Sequence, residues 1–195
     1  MHTNEKPRKK GKSSGALGQV NWKWICTITV LSFFISVSMS YISSEALKNV
    51  GNILAFAILL IFITIGIVFD IVGMAATSAT EKEFHSMAAK KVFGAKEAVW
   101  LSRNASKVSS ICNDVVGDIS GIISGATGAI IIARLTAGMD FFPALVISLA
   151  ITGLIAALTI GGKAIGKGFG IGYSVKIVFA VGRFLSILPI HIDKK

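Results

Sequence analysis

The chain has 195 residues, of which 53% are hydrophobic and only 15% charged, too few polar residues to cover a soluble domain of this length; an all-α integral membrane protein is the class that fits. Its 20 Lys and Arg against 10 Asp and Glu give a formal charge of +10. With so few aromatics in the basic segments, that charge points to anionic lipid headgroups and a bilayer partner, not to nucleic acid. Cys26 and Cys112 lie in or beside apolar runs without CxxC or metal-ligand spacing, which argues against a disulfide framework.

In chain order, residues 1–22 form a basic tail expected to be disordered. Residues 23–50 hold a first transmembrane helix, near 24–42, and a short outer loop. A small-x-small cleavage pattern is missing, so this run reads as a retained span and not as a signal peptide. Residues 51–161 contain three further spans, near 53–72, 115–135 and 143–160, each about the 20 residues that cross a ~30 Å hydrocarbon core. Lysine and arginine are one-sided: six in residues 1–23, six in 80–110 and six after 160, leaving Lys48 and Arg134 for the opposite ends. The expected topology is a multi-pass cell-membrane protein with both termini and the 80–110 loop cytoplasmic.

That loop shows helical spacing of Phe84, Met87, Ala88, Lys91 and Val92, a break at Gly94, and a second helical run over 95–101. Residues 162–195 are expected to be a juxtamembrane amphipathic helix and a basic tail. Gly161 to Lys167 spells GxxxxGK, but Gly168 stands where a serine or threonine should bind magnesium and no strand precedes it, so no nucleotide site is expected. The glycines there would let the chain bend out of the span. Val175, Val178, Phe179, Phe184 and Leu185 of a helix over 173–188 would face lipid, with Lys176 and Arg183 at the headgroups.

Aspartate inside a span costs roughly 2.5 to 3.5 kcal/mol on insertion scales, so such groups usually face an interior or a watery cavity. Asp70 near the end of the second span, and Asp114 and Asp118 at the start of the third, fall at similar depth across a hairpin. Asn113 adds a neutral oxygen. Oxygen ligands at one level suit Mg²⁺, which keeps some of its waters and needs only two or three protein groups. Against this, Asp114 and Asp118 sit near the boundary, where solvation and the helix dipole also accommodate a carboxylate. Gly117, Gly121 and Gly125 make a small-residue packing face on the same span.

Over about 53–188 the pattern resembles the transmembrane domain of the cyclin M and CorB/CorC magnesium transporters. FDIVGMAATS at 69–78 is similar to that family's F-S-x-x-E-x-A-x-x-S, with Asp70 at the cation-contacting serine and Gly73 at the glutamate. FHSMAAKKVFGAKEA is similar to its loop pattern. ICNDVVG at 111–117 is similar to I-G-N-x-x-V-N, with Gly117 at the second asparagine. GKAIGK at 162–167 is similar to G-E-x-x-P-K, with Lys163 at the acidic position and Gly166 at the proline.

The resemblance implies three core spans behind an extra amino-terminal one, a cytoplasmic helical loop, an interfacial helix and a homodimer. It also implies transport of a divalent cation, Mg²⁺ or secondarily Co²⁺, with Asp70, Asn113, Asp118 and Ser78 as metal contacts. The family's nucleotide-sensing paired domains have no counterpart before Lys195, so nucleotide regulation through them is not expected. The alternative is a non-transporting accessory or structural membrane protein in which Lys163 neutralises Asp70 or Asp118. No catalytic constellation groups with His2, His85 or His191, so an enzyme is not expected.

Overall fold

The computed structural model describes residues 22–48 and 50–187, and they are helical nearly throughout. The basic tail at 1–21 and residues 188–195 lie outside the described residues. The helices are α1 (Trp22–Leu47), α2 (Asn52–Ser78), α3 (Glu81–Ala89), α4 (Ala95–Arg103) and α5 (Ala105–Ser109). A π-helical stretch (Ser110–Gly117) leads into α6 (Asp118–Leu135), followed by α7 (Phe141–Gly172) and α8 (Ser174–Ile187). Among the described residues four segments are long and apolar enough to cross a membrane: α1, α2, the continuous run Ala105–Leu135, and α7.

Helix α2 is the axis of the bundle, packed against α5, the π-helical stretch, α6, α7 and α8. Its inward residues feed two of three buried clusters. At one end Ala55, Leu59 and Ile63 meet Leu47 and Ile131. At the other, Ala75 and Ala76 meet Phe84, Ala98, Leu101 and Val178. Between them Val115, Ile119 and Ile123 pack against Ile28, Ile35 and Met39 of α1 and Phe62 of α2. Helix α1 is otherwise turned outward, with Phe33 and Phe34 each 63% exposed, as suits a surface covered by hydrocarbon.

Polar contacts close the end of the bundle opposite α3 and α4. A helix leaves its last carbonyls without intrahelical donors. Arg134 donates to the carbonyl of Leu47, the last residue of α1, and to that of Val50 at 2.9 Å. Ser43 and Thr127 share a buried hydroxyl hydrogen bond at 3.2 Å between α1 and α6.

Two expectations are overturned here. The glycines after residue 160 do not bend the chain: α7 runs unbroken for 32 residues, about 48 Å at 1.5 Å per residue. Gly162, Gly166 and Gly170 recur every fourth residue and let α2 lie close. A Cβ at Gly166 would stand 2.9 Å from Ile71 Cγ1, and one at Gly170 2.9 Å from the Ile71 carbonyl. Helix α8 also does not turn its expected face outward. Val178 is 1% exposed, and Val175, Phe179 and Leu185 pack on the same cluster; Phe184 alone of that set is exposed.

The break between α3 and α4 is where the glycine predicts it. Gly94 has φ +86, a left-handed conformation that costs glycine little. Gly182 of α8 is the counterpart: a Cβ there would come within 2.6 Å of the Gly94 carbonyl and 2.9 Å of the Ala98 nitrogen. Helices α4 and α8 thus touch backbone to backbone. Arg103 and His85 both reach Glu81 Oε1, at 2.6 and 2.8 Å, and the Arg103 contact ties α4 back to the start of α3.

Gly182→Leu overpacks the α4–α8 crossing, at a cost of about 1–3 kcal/mol. Limited proteolysis of the purified chain should then show faster cutting within 81–103, while Gly168→Ala, facing open space, leaves the rate unchanged. The Arg103 guanidinium first, then His85, holds the Glu81 carboxyl below its ordinary value of 4.5. The clamp therefore contributes fully above pH 4.5 and is lost as pH falls through the lowered folded value. Protection factors of the α3 amides, taken against the intrinsic exchange rate at each pH, should fall over that acid window, and Glu81→Gln should remove the pH dependence of protection.

Candidate functional site

Asp70 lies on the inward face of α2 and is 5% exposed. Two neighbours enclose it. On one side α7 brings Lys163, whose Nζ stands 3.2 Å from Asp70 Oδ2, with the lysine side chain 23% and the aspartate side chain 7% exposed. The ammonium also donates to the Gly117 carbonyl at 3.5 Å. Because Gly162 seats α7 against Ile67 of α2, the adjacent lysine stem reaches the carboxylate one turn along. On the other side is the π-helical stretch.

In a π-helix the backbone bonds run from i to i+5, and such segments interrupt longer α-helices at functional positions. Here Asn113 and Gly117 face α2, whereas Asp114 and Asp118 are exposed on the outer side. The contact is reciprocal. Asp70 projects over Gly117, where a Cβ would stand 2.6 Å from Oδ1 and 3.3 Å from the Cys112 carbonyl. One turn further, Asn113 projects over Gly73, where a Cβ would overlap the amide of Asn113. Each helix supplies one polar side chain and one glycine to receive its partner's.

Electrostatically the pair is self-sufficient. A buried carboxylate without a counter-charge is costly, and removing one partner of such a pair typically costs several kcal/mol. Lys163 supplies the charge. The amide is less well served. Asn113 Nδ2 donates to Ser109 Oγ at 3.1 Å, but the buried Oδ1 receives no hydrogen bond among the described residues. A buried acceptor left so costs about 1–3 kcal/mol.

Of the four residues expected to contact metal, Asp70 and Asn113 lie on successive turns of one helix–helix contact. Asp118 and Ser78 are exposed and do not join them; Ser78 is about two turns along α2 from Asp70. Among the described residues no three His, Cys, Asp or Glu side chains converge as a metal centre. Of the glycine face expected on the third span, Gly117 packs on Asp70, while Gly121 and Gly125 meet nothing within 4 Å. These two border an open groove of about 450 Å³ between α6 and α7, lined also by Thr152 and Thr159. The roles of Gly73 and Gly117 as receiving sites were missed by sequence reasoning. Their one available signal was that both stand where the resembled motifs carry polar residues.

Comparison with protein-family models, with curated proteins and with solved structures finds no match in any of the three.

Lys163→Ala should destabilise the protein by about 3–5 kcal/mol by stranding the Asp70 carboxylate. The apolar replacement Lys163→Met with Asp70→Leu should recover most of that loss. Thermal unfolding in detergent of the two singles and the double measures the coupling.

Proposed function

We propose that the chain is a multi-pass membrane protein in which Lys163 acts as a tethered cation at Asp70, filling the place where the motif resemblance sets a divalent ion. On this reading it is a non-transporting accessory or structural membrane protein. The observation that carries the proposal is the 3.2 Å contact between Lys163 Nζ and Asp70 Oδ2 in a largely buried pair. Lysine–carboxylate pairing satisfies both groups inside a bundle without an ion. The two altered motif positions are complementary: an ammonium has arrived on α7 and a carboxylate on α2. The one-sided lysine and arginine distribution and the even number of candidate spans support cytoplasmic termini in the cell membrane.

A second reading has its own support. The buried, unpartnered Asn113 Oδ1 is one turn from Asp70 and is the kind of neutral oxygen a hard cation takes as a ligand. If Lys163 swings away, Asp70, Asn113 Oδ1 and nearby carbonyls offer oxygen ligands for Mg²⁺ or Co²⁺ as transported substrate. Asp118 and Ser78 are not needed in this version.

One experiment separates the two. The purified protein is reconstituted in vesicles holding a Mg²⁺-sensitive dye, and uptake is followed in the wild type and in Asp70→Asn. Uptake at the level of protein-free vesicles in both supports the tethered-cation reading. Saturable uptake by the wild type that Asp70→Asn abolishes overturns it in favour of transport.

A further inference from the structure

Helix α8 has a buried apolar face and an exposed face of mixed apolar and cationic residues. Its inner face, with Val178 and Gly182, is committed to α2 and α4. The opposite face recurs at 176, 180, 183 and 187, all exposed. It presents Ile187 at 73% and the neighbouring Phe184 at 65% exposure, next to Lys176 and Arg183.

The fold adds a second segment to this surface. A Cβ at Gly94 would lie 2.7 Å from Arg183 Cα, so the turn between α3 and α4 sits directly against α8. That turn has a defined shape. Lys91 takes a left-handed φ of 56°, with Val92 N donating to the Met87 carbonyl at 3.1 Å, the closure of a helix C-cap. It holds Phe93 out at 58% exposure, between the exposed Lys91 and Lys96. The ion pairs among the described residues involve none of these cations.

We propose that this joint face, the α3–α4 turn with the outer side of α8, docks on an anionic bilayer surface. Phe93, Phe184 and Ile187 enter the headgroup region while the flanking lysines and Arg183 meet lipid phosphates and carboxylates. Exposed aromatic and aliphatic side chains interleaved with cations are what an interfacial element presents. Charge complementarity favours the acidic leaflet. A bilayer is favoured over an acidic protein because only Tyr173 separates α8 from α7, one of the four helices apolar enough to span. The proposal rests on the membrane-spanning reading, not on whether the Asp70–Lys163 pair transports ions.

The test uses the full chain with Cys26→Ser and Phe93→Cys, labelled at residue 93 with an environment-sensitive dye. It is reconstituted in phosphatidylcholine alone or with added phosphatidylglycerol, with and without lipid carrying a doxyl quencher. Docking predicts blue-shifted emission and strong doxyl quenching in the anionic vesicles. Both should fall to the phosphatidylcholine level at high salt and in Lys91→Glu/Lys96→Glu, whose fold is checked by an unchanged proteolysis pattern. Equal quenching in both lipids, or a blue shift without quenching (a protein contact), overturns the proposal. Release of the chain by alkaline carbonate would instead fault the spanning reading and is scored separately.

Discussion

A carboxylate in the middle of a helix bundle dictates what surrounds it. Asp70 stands on α2, the helix that packs against α5, the π-helical stretch, α6, α7 and α8, and its charge has to be met within a few ångströms. Lys163 meets it, and to do so α7 has to remain helical past the residue where its apolar run thins out. It also has to approach α2 closely, which the glycines at 162, 166 and 170 permit. The Gly117 carbonyl and the absence of a side chain at that residue complete the enclosure. The ion pair and the glycines are therefore one device. A larger residue at any of these positions moves a helix, and a moved helix strands a charge.

Burial of the pair alone does not make it stabilising. Well-packed apolar residues of similar volume often do as well or better in such places, and retention of charge more often reflects specificity or function. Here the pair selects one register between α2 and α7: sliding either helix by one turn separates Nζ from Oδ2 by about 5 Å, the pitch of the helix. The reciprocal seating of Asp70 on Gly117 and Asn113 on Gly73 does the same between α2 and the π-helical stretch. The two contacts share Asp70 and Gly117 and so fix the same part of α2. The unpartnered Asn113 oxygen is what that tight seating leaves over.

Four apolar runs and the glycine break in the loop were legible because hydrophobic length and turn chemistry are local properties. The end of the fourth helix was not. Lys163 and Lys167 look like the edge of a span in isolation, and only contact with Asp70 lets the first of them lie inside the bundle. Asp118 was misplaced for a related reason. Successive residues differ by about 100° around a helix; Gly117 faces α2, so the next residue turns away from it, and the apolar pattern alone does not say which of the two is inward. For α8, the pattern showed amphipathicity, but with Phe184 and Ile187 beside the cations the inward face cannot be chosen without knowing what packs on it.

The attachment of α1 has a consequence for how the protein comes apart. It is held at its carboxyl end by Arg134 and the Ser43–Thr127 bond, and along its length by a few residues against the middle cluster. Near its start, Lys107 lies over the Trp24 ring at 5.4 Å. Helix α2 packs more extensively on α6 and α7 than α1 does on any helix, so α1 behaves as a strap laid along them. Released at Arg134, it would uncover Val115, Ile119 and Ile123 while the contacts of Asp70 with Lys163 and Gly117 stay within the remaining helices.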